Sequence, residues 1–277
     1  MKRIDTHQHL LDQRTFSYSW CAGIPALNKS FLLDDYLVAA KDTGVEKTIF
    51  MECDADEPNS FAEAQHIQKL ADKHPLIAGI IAAARPERAD FPAQLAALLQ
   101  LPKLRGIRRG LHVVPDETSQ ADLFVKNIRQ LAAPKLTFDV CVLSRQLPLA
   151  AALAKKCPDV QFILDHCGVP DVKGKAFDPW RTDIKEISAL PNVACKISGL
   201  VAYAGENWTV DDLRPWVEHV VTHFGWERVL WGGDWPVCTL TATLKRWVEA
   251  SDQLFDDATE TQREKVFYKN AENIYRI

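Results

Sequence analysis

The stretch Arg3-Ile4-Asp5-Thr6-His7-Gln8-His9 decides the reading of this chain. It reads as a short strand that closes on two histidines. Residues i and i+2 of a strand point to the same side, so His7 and His9 share one face. Seven more short apolar runs follow: Lys47–Cys53, Leu76–Ala84, Leu104–Gly110, Thr137–Val142, Gln161–Gly168, Asn192–Gly199 and Val229–Pro236. Their Ile, Val, Phe and Leu lie on both faces, as in buried parallel strands. The intervening segments carry helix punctuation. Ser60-x-x-Glu63, Thr209-x-x-Asp212 and Thr259-x-x-Gln262 have capping-box spacing. Asp178-Pro179 reads as a cap followed by a first-turn proline, and Gly44 and Gly225 as helix stops. Eight strand-then-helix units without a composition break predict one α/β domain over residues 1–277, a (β/α)8 TIM barrel. A doubly wound open sheet is the alternative, and the absence of a second-domain linker argues against it.

The bulk properties narrow the function classes. Of the 277 residues, 47% are hydrophobic and 25% charged, the balance of an ordinary globular protein with a large core. A formal net charge of −4 supplies no basic field for nucleic acid and no polybasic anchor for a membrane. The amino terminus lacks the apolar core of a signal peptide, which makes the cytoplasm the expected compartment. Seven scattered cysteines with no C-x-x-C pair argue against a disulfide framework or a zinc knuckle. The expected partner is therefore a small-molecule substrate, with oligomerisation left open.

In a barrel, polar residues at the carboxyl ends of the strands are the functional candidates. His7 and His9 suit convergence on one metal ion or one substrate carbonyl. Strand two supplies Glu52, either a metal ligand or base, or a carboxylate held by an arginine. Strand four places Arg108 on the same side as His112, so a guanidinium and an imidazole face the mouth. Arg105 and Arg109 are expected outside. Strand six brings His166, a third histidine at a third strand end, with a satisfied core histidine as the bland alternative. Its neighbour Asp165 has the opposite parity and is expected to brace helix caps. Lys196, inside the apolar run of strand seven, must snorkel or meet a buried anion, and so binds substrate or a catalytic carboxylate. In strand eight, Gly232 and Gly233 leave room for a ligand near the backbone, and Asp234 is the best candidate for a general base. The irregular stretch from Leu11 to Ser30 follows strand one on the active-site side and contains Trp20.

Taken together, these residues resemble the amidohydrolase superfamily, and within it the amidohydrolase-2 branch that includes sugar-lactone hydrolases. The resemblance runs nearly end to end. It rests on Asp5-Thr6-His7-Gln8-His9, Gly106-Ile107-Arg108, Leu164-Asp165-His166-Cys167-Gly168-Val169-Pro170, Cys195-Lys196-Ile197-Ser198-Gly199 and Trp231-Gly232-Gly233-Asp234-Trp235-Pro236-Val237. It implies a barrel, a site built on His7, His9 and His166, and Asp234 as acceptor of a proton from attacking water. Arg108, His112, Lys196, Trp20 and Trp235 would then hold the substrate. The segments around His166 and Asp234 look most like lactonases acting on sugar acids, although relatives also open dicarboxylate lactones. The chain departs from the superfamily's two-metal pattern, since strand five offers no histidine and strand four carries arginine where a bridging lysine would sit. One Zn2+ or other divalent ion on His7, His9 and Asp234, with Glu52 or His166 assisting, is compatible with these donors. Some relatives work without a metal. The alternative within the branch is a metal-dependent decarboxylase of aromatic acids. A non-catalytic binding barrel is a third reading, costly in polar residues at so many strand ends.

Overall fold

A computed structural model describes all 277 residues. Strand β1 (Arg3–Gln8) leads through α1 (Leu33–Ala39) to β2 (Val45–Met51) and α2 (Ser60–Lys73). Then come β3 (Ile77–Ala83), α3 (Phe91–Leu98), β4 (Leu104–Gly110), α4 (Asp122–Arg129), β5 (Thr137–Cys141) and α5 (Leu147–Lys156). The second half holds β6 (Gln161–Leu164), α6 (Trp180–Ser188), β7 (Val193–Ile197), a short α7 (Leu200–Ala204), α8 (Val210–Phe224) and β8 (Val229–Trp231). Helices α9 (Leu244–Leu254), α10 (Glu260–Glu264) and α11 (Asn270–Tyr275) finish the chain.

The eight strands pair in parallel in sequence order. The seam between first and last closes through a parallel bridge from Gln8 to Trp235. There the His9 N–H donates to the Trp235 carbonyl at 2.8 Å and the Asp234 N–H to the His7 carbonyl at 2.9 Å. The result is a (β/α)8 TIM barrel. Both of its layers are apolar. Ile4, Ile49, Met51, Ile81, Ile163 and Leu230 fill the barrel interior, and Tyr275 of α11 joins them. Phe124, Phe138, Phe162, Trp180, Trp216 and Trp247 pack between strands and helices. No helix is long and apolar enough to cross a membrane.

Several expected boundaries move. Strand β6 stops at Leu164, four residues before the expected Gly168, and β8 stops at Trp231 rather than Pro236. In both places the backbone turns into the left-handed region, at His166 (φ 53°), Cys167 (φ 54°) and Asp234 (φ 54°). Non-glycine residues rarely adopt it, and such strain gathers where side chains must be aimed. The boxes at Thr209/Asp212 and Thr259/Gln262 form as read. Pro179 flanks α6 rather than opening it, and the helix starts at Trp180.

The expected box at Ser60 does not form either, because Glu63 turns inward. Its carboxylate accepts from the Tyr18 hydroxyl at 3.0 Å and the Cys53 N–H at 3.2 Å. Burial, reinforced by the charge of Glu52, pushes the Glu63 carboxyl up to about 8 from an ordinary 4.5. A raised carboxyl binds its proton more tightly in the folded state. Its contribution is full below about 4.5, declines as pH rises, and is gone once pH passes about 8. Glu63→Gln is therefore expected to remove a slope of about 1.4 kcal/mol per pH unit across that window. Urea melts of both proteins at several pH values between these limits measure it; parallel stability curves would refute the assignment.

Candidate active site

At the carboxyl ends of the strands lies a cavity of about 380 Å³. His9, Glu52, Arg108, His112, His166, Asp234 and Trp20 all line it, and His7 sits directly beneath. Its centre is a convergence of three donors. His7 Nε2 lies 3.7 Å and His9 Nε2 3.6 Å from Asp234 Oδ1. The ligand atoms of the three residues fall within 4.8 Å of one another. The strand-one spacing thus does bring both imidazoles to one point, and the reversal of φ at Asp234 aims its carboxylate back at them.

The surroundings orient each donor. His9 Nδ1 meets the Met51 carbonyl at 3.0 Å, which directs Nε2 into the cavity. His7 Nδ1 faces Asp165 Oδ1 at 3.4 Å. Burial holds the His7 imidazole well below its ordinary pKa, with Asp165 only partly opposing, so it stays neutral with a lone pair to offer. Burial likewise lowers His166, whose Nδ1 meets the Ser198 hydroxyl at 2.9 Å and stands 4.0 Å from Asp234 Oδ2. Close packing requires glycine twice here. A Cβ on Gly232 would lie 2.8 Å from His7 Cβ, and one on Gly199 would lie 2.5 Å from His166 Nδ1. The glycines that follow β8 thus make room for His7 and, at Gly233, for the Asp5 carboxylate, rather than for a ligand.

Under the cavity runs a buried chain of charge. Asp165 bridges three cationic or imidazole partners: Arg108 Nε at 3.1 Å, Lys196 Nζ at 3.2 Å and His7. Burial alone would raise its carboxyl, but Lys196, His7 and Arg108 outweigh that and hold it well below its ordinary value. Lys196 also grips Asp139 of β5, which accepts from the Tyr275 hydroxyl at 3.2 Å. Arg108 Nη1 reaches Glu52 Oε1 at 3.2 Å.

This arrangement revises several expectations. Glu52 is not among the converging donors; it is the carboxylate held by an arginine, and its second oxygen takes the Asp54 N–H at 2.6 Å. Lys196 does not reach the cavity, since it is wholly buried between Asp139 and Asp165. Trp235 does not line it either, and packs edge-on against Phe31 and Tyr36 behind the seam. Asp165 braces no helix cap, because strand parity lapses where β6 ends and the chain turns. Arg105 and Arg109 do lie outside, on backbone carbonyls and on Glu87 respectively. Cys141 and Tyr203 also line the cavity and had no signal of their own. Asp139 had one, an acid inside an apolar strand in a chain that also buries a lysine.

The donor set fits a divalent metal. His7 Nε2 and Asp234 Oδ2 are both buried without a hydrogen-bond partner, an unusual expense for polar atoms. Two imidazoles and a carboxylate are a set that zinc accepts. The imidazoles are braced from behind as ligating histidines generally are.

Known proteins point the same way. The chain is 32% identical to an L-fucono-1,5-lactonase of Burkholderia multivorans over 90% of this chain and 89% of that one. It is 29% identical to the L-fucono-1,5-lactonase of Burkholderia ambifaria over 99% and 96%. A crystal structure of an amidohydrolase from Burkholderia multivorans with bound Zn superposes over the full length of both chains, with a TM-score of 0.92 and 26% identity. The profile of the amidohydrolase family matches residues 4–277, and this barrel belongs to that family.

Proposed function

We propose that the protein hydrolyses a lactone, one formed by a sugar acid, with one Zn2+ held by His7, His9 and Asp234. The observation that carries the reading is the meeting of His7 Nε2, His9 Nε2 and Asp234 at the floor of a cavity with an arginine in its wall. The relatives named L-fucono-1,5-lactonase support the substrate class, and the zinc-bearing family structure supports the metal. Zinc bound there supplies a Lewis acid for a carbonyl and eases deprotonation of water.

The protein's own groups divide the remaining work. The lactone carbonyl lies toward His9 and His166, and Arg108 and His112 take ring hydroxyls from one wall while Trp20 covers the ring from the other side. Asp234 faces the imidazole pair with Oδ1 and keeps Oδ2 free. Oδ2 takes the proton of the attacking water as its oxygen bonds to the carbonyl carbon. The carbon–oxygen bond of the ring then breaks, and the proton passes from Asp234 to the departing ring oxygen. The products are the open hydroxy acid and no other fragment.

A panel of sugar lactones assayed with a pH indicator, before and after chelation, tests this. Acid release from at least one lactone is expected, falling at least ten-fold on chelation and returning with Zn2+. Release of CO2 from an aromatic acid, with every lactone inert, would establish the decarboxylase instead. Activity untouched by exhaustive chelation would remove the metal from the proposal.

A further inference from the structure

Two of the seven cysteines, Cys53 and Cys141, line the active-site cavity, and their surroundings differ in kind. Cys53 Sγ sits among acceptors, with the Leu10 carbonyl at 3.5 Å and the Met51 carbonyl at 3.7 Å. The carboxyl groups of Glu63 and Glu52 add to burial in pushing its thiol well above the ordinary range. Arg108 opposes this only in part, and the one imidazole near Cys53, His9 Nδ1 at 3.7 Å, is already engaged with the Met51 carbonyl at 3.0 Å. Cys141 ends β5 on the opposite side of the cavity, with Sγ 3.4 Å from His112 Nδ1. Arg108, two residues before β4 ends, also faces this thiol. The third group nearby is the Tyr203 phenol, which also lines the cavity. The other five cysteines lie outside the cavity.

A thiol becomes a nucleophile as the thiolate, and an imidazole and a guanidinium are the neighbours that favour it. We propose that Cys141, with His112 as its proton acceptor, is a covalent modification site for soft electrophiles that enter the substrate cavity, α,β-unsaturated carbonyl compounds in particular. The step balances within the pair. His112 Nδ1 takes the thiol proton as sulfur bonds to the β-carbon of the electrophile. The π electrons of the broken double bond move to the α-carbon, which receives the proton back from His112. His112 is exposed at the cavity mouth and Cys141 sits just inside, so the electrophile passes the imidazole before it meets the sulfur. The pairing also works in reverse, since the hydrogen bond to Cys141 is the main cause of a raised His112 imidazole. Neither residue belongs to the metal-binding trio, so the site does not depend on the lactonase reading.

Iodoacetamide tests the proposal with the sulfur displacing iodide. The native protein is treated at neutral pH with limiting reagent, quenched and mapped by peptide mass spectrometry. Cys141 is expected to label first, at least ten-fold faster than Cys53, while denatured protein labels all seven alike. His112→Gln, a change at an exposed position, is expected to slow Cys141 labelling several-fold with no effect on the denatured control. The proposal is overturned if no cysteine labels in the native protein, if Cys53 or another cysteine keeps pace with Cys141, or if His112→Gln leaves the rate unchanged. Wild-type protein alone decides the comparison between the two cavity cysteines.

Discussion

Asp234→Asn is expected to lower kcat by about 10²–10⁴, the range that a positioned general base supplies. The substitution keeps the shape of the side chain and removes its ability to accept a proton. Little else should change. The left-handed backbone at Asp234 (φ 54°) is a conformation that Asn tolerates as well as Asp does. The bond that fixes this turn is the backbone N–H to the His7 carbonyl, which the amide leaves intact. Asp234 Oδ2 has no protein partner to lose. Thermal melting should therefore stay close to that of the wild type. Because Asp234 also completes the donor trio, bound zinc should fall as well, and metal analysis of the purified variant reads that separately from turnover. Full metal content with turnover lost would assign the residue to proton transfer. A variant that turns over normally would take Asp234 out of the chemistry altogether.

Lys196→Met is expected to destabilise the fold by about 3–5 kcal/mol, the cost of breaking a buried ion pair by removing one partner. Lys196, Asp139 and Asp165 are all fully buried, and the lysine is the one cation that touches both acids. Methionine matches the length of the stem and leaves the Asp139 and Asp165 carboxylates without the cation between them. Asp165 keeps Arg108 and His7 as partners, whereas Asp139 keeps only neutral hydroxyls from Thr137 and Tyr275. The loss should thus fall mainly on Asp139. Adding Asp139→Asn to Lys196→Met is expected to return part of the stability, since the uncompensated charge is gone, although Asp139→Asn alone destabilises. Urea denaturation of the four proteins closes the cycle. A Lys196→Met protein within 1 kcal/mol of the wild type, or additive changes with no coupling, would show that this ion network does not hold the barrel interior together.

These two outcomes bear on what could be read before folding was considered. The count and order of strands were legible, because each buried parallel strand is an apolar run bounded by helix punctuation. The strand-one pair was legible because His7 lies in β1 and His9 directly follows its last residue, where the two-residue period still gives the direction of both side chains. Arg108 and His112 were found by the same rule and do share the cavity. That rule failed at Asp165. Strand β6 ends one residue earlier, at Leu164, so parity carried past its end put Asp165 on the wrong side. Trp235 was misplaced similarly, since its backbone closes the barrel seam while its ring turns away. Lys196 was expected either to snorkel or to meet a buried anion, and the sequence does not say which. Asp139 lies 57 residues away on β5, and meets Lys196 of β7 only once the strands curve into a barrel.

The amino-acid sequence by itself determined the barrel, and it named the donor types that gather in the candidate site at the strand ends. Those properties depend on local periodicity and on the chemistry of single side chains. The tertiary structure alone decided which charges neutralise one another. Glu52 was assigned to Arg108, Lys196 to Asp139 and Asp165, and His7, His9 and Asp234 were left as the trio with unspent lone pairs. Pairing of buried charges depends on distances of a few ångströms between residues from different strands, and the periodicity of one strand carries no information about its distance from another.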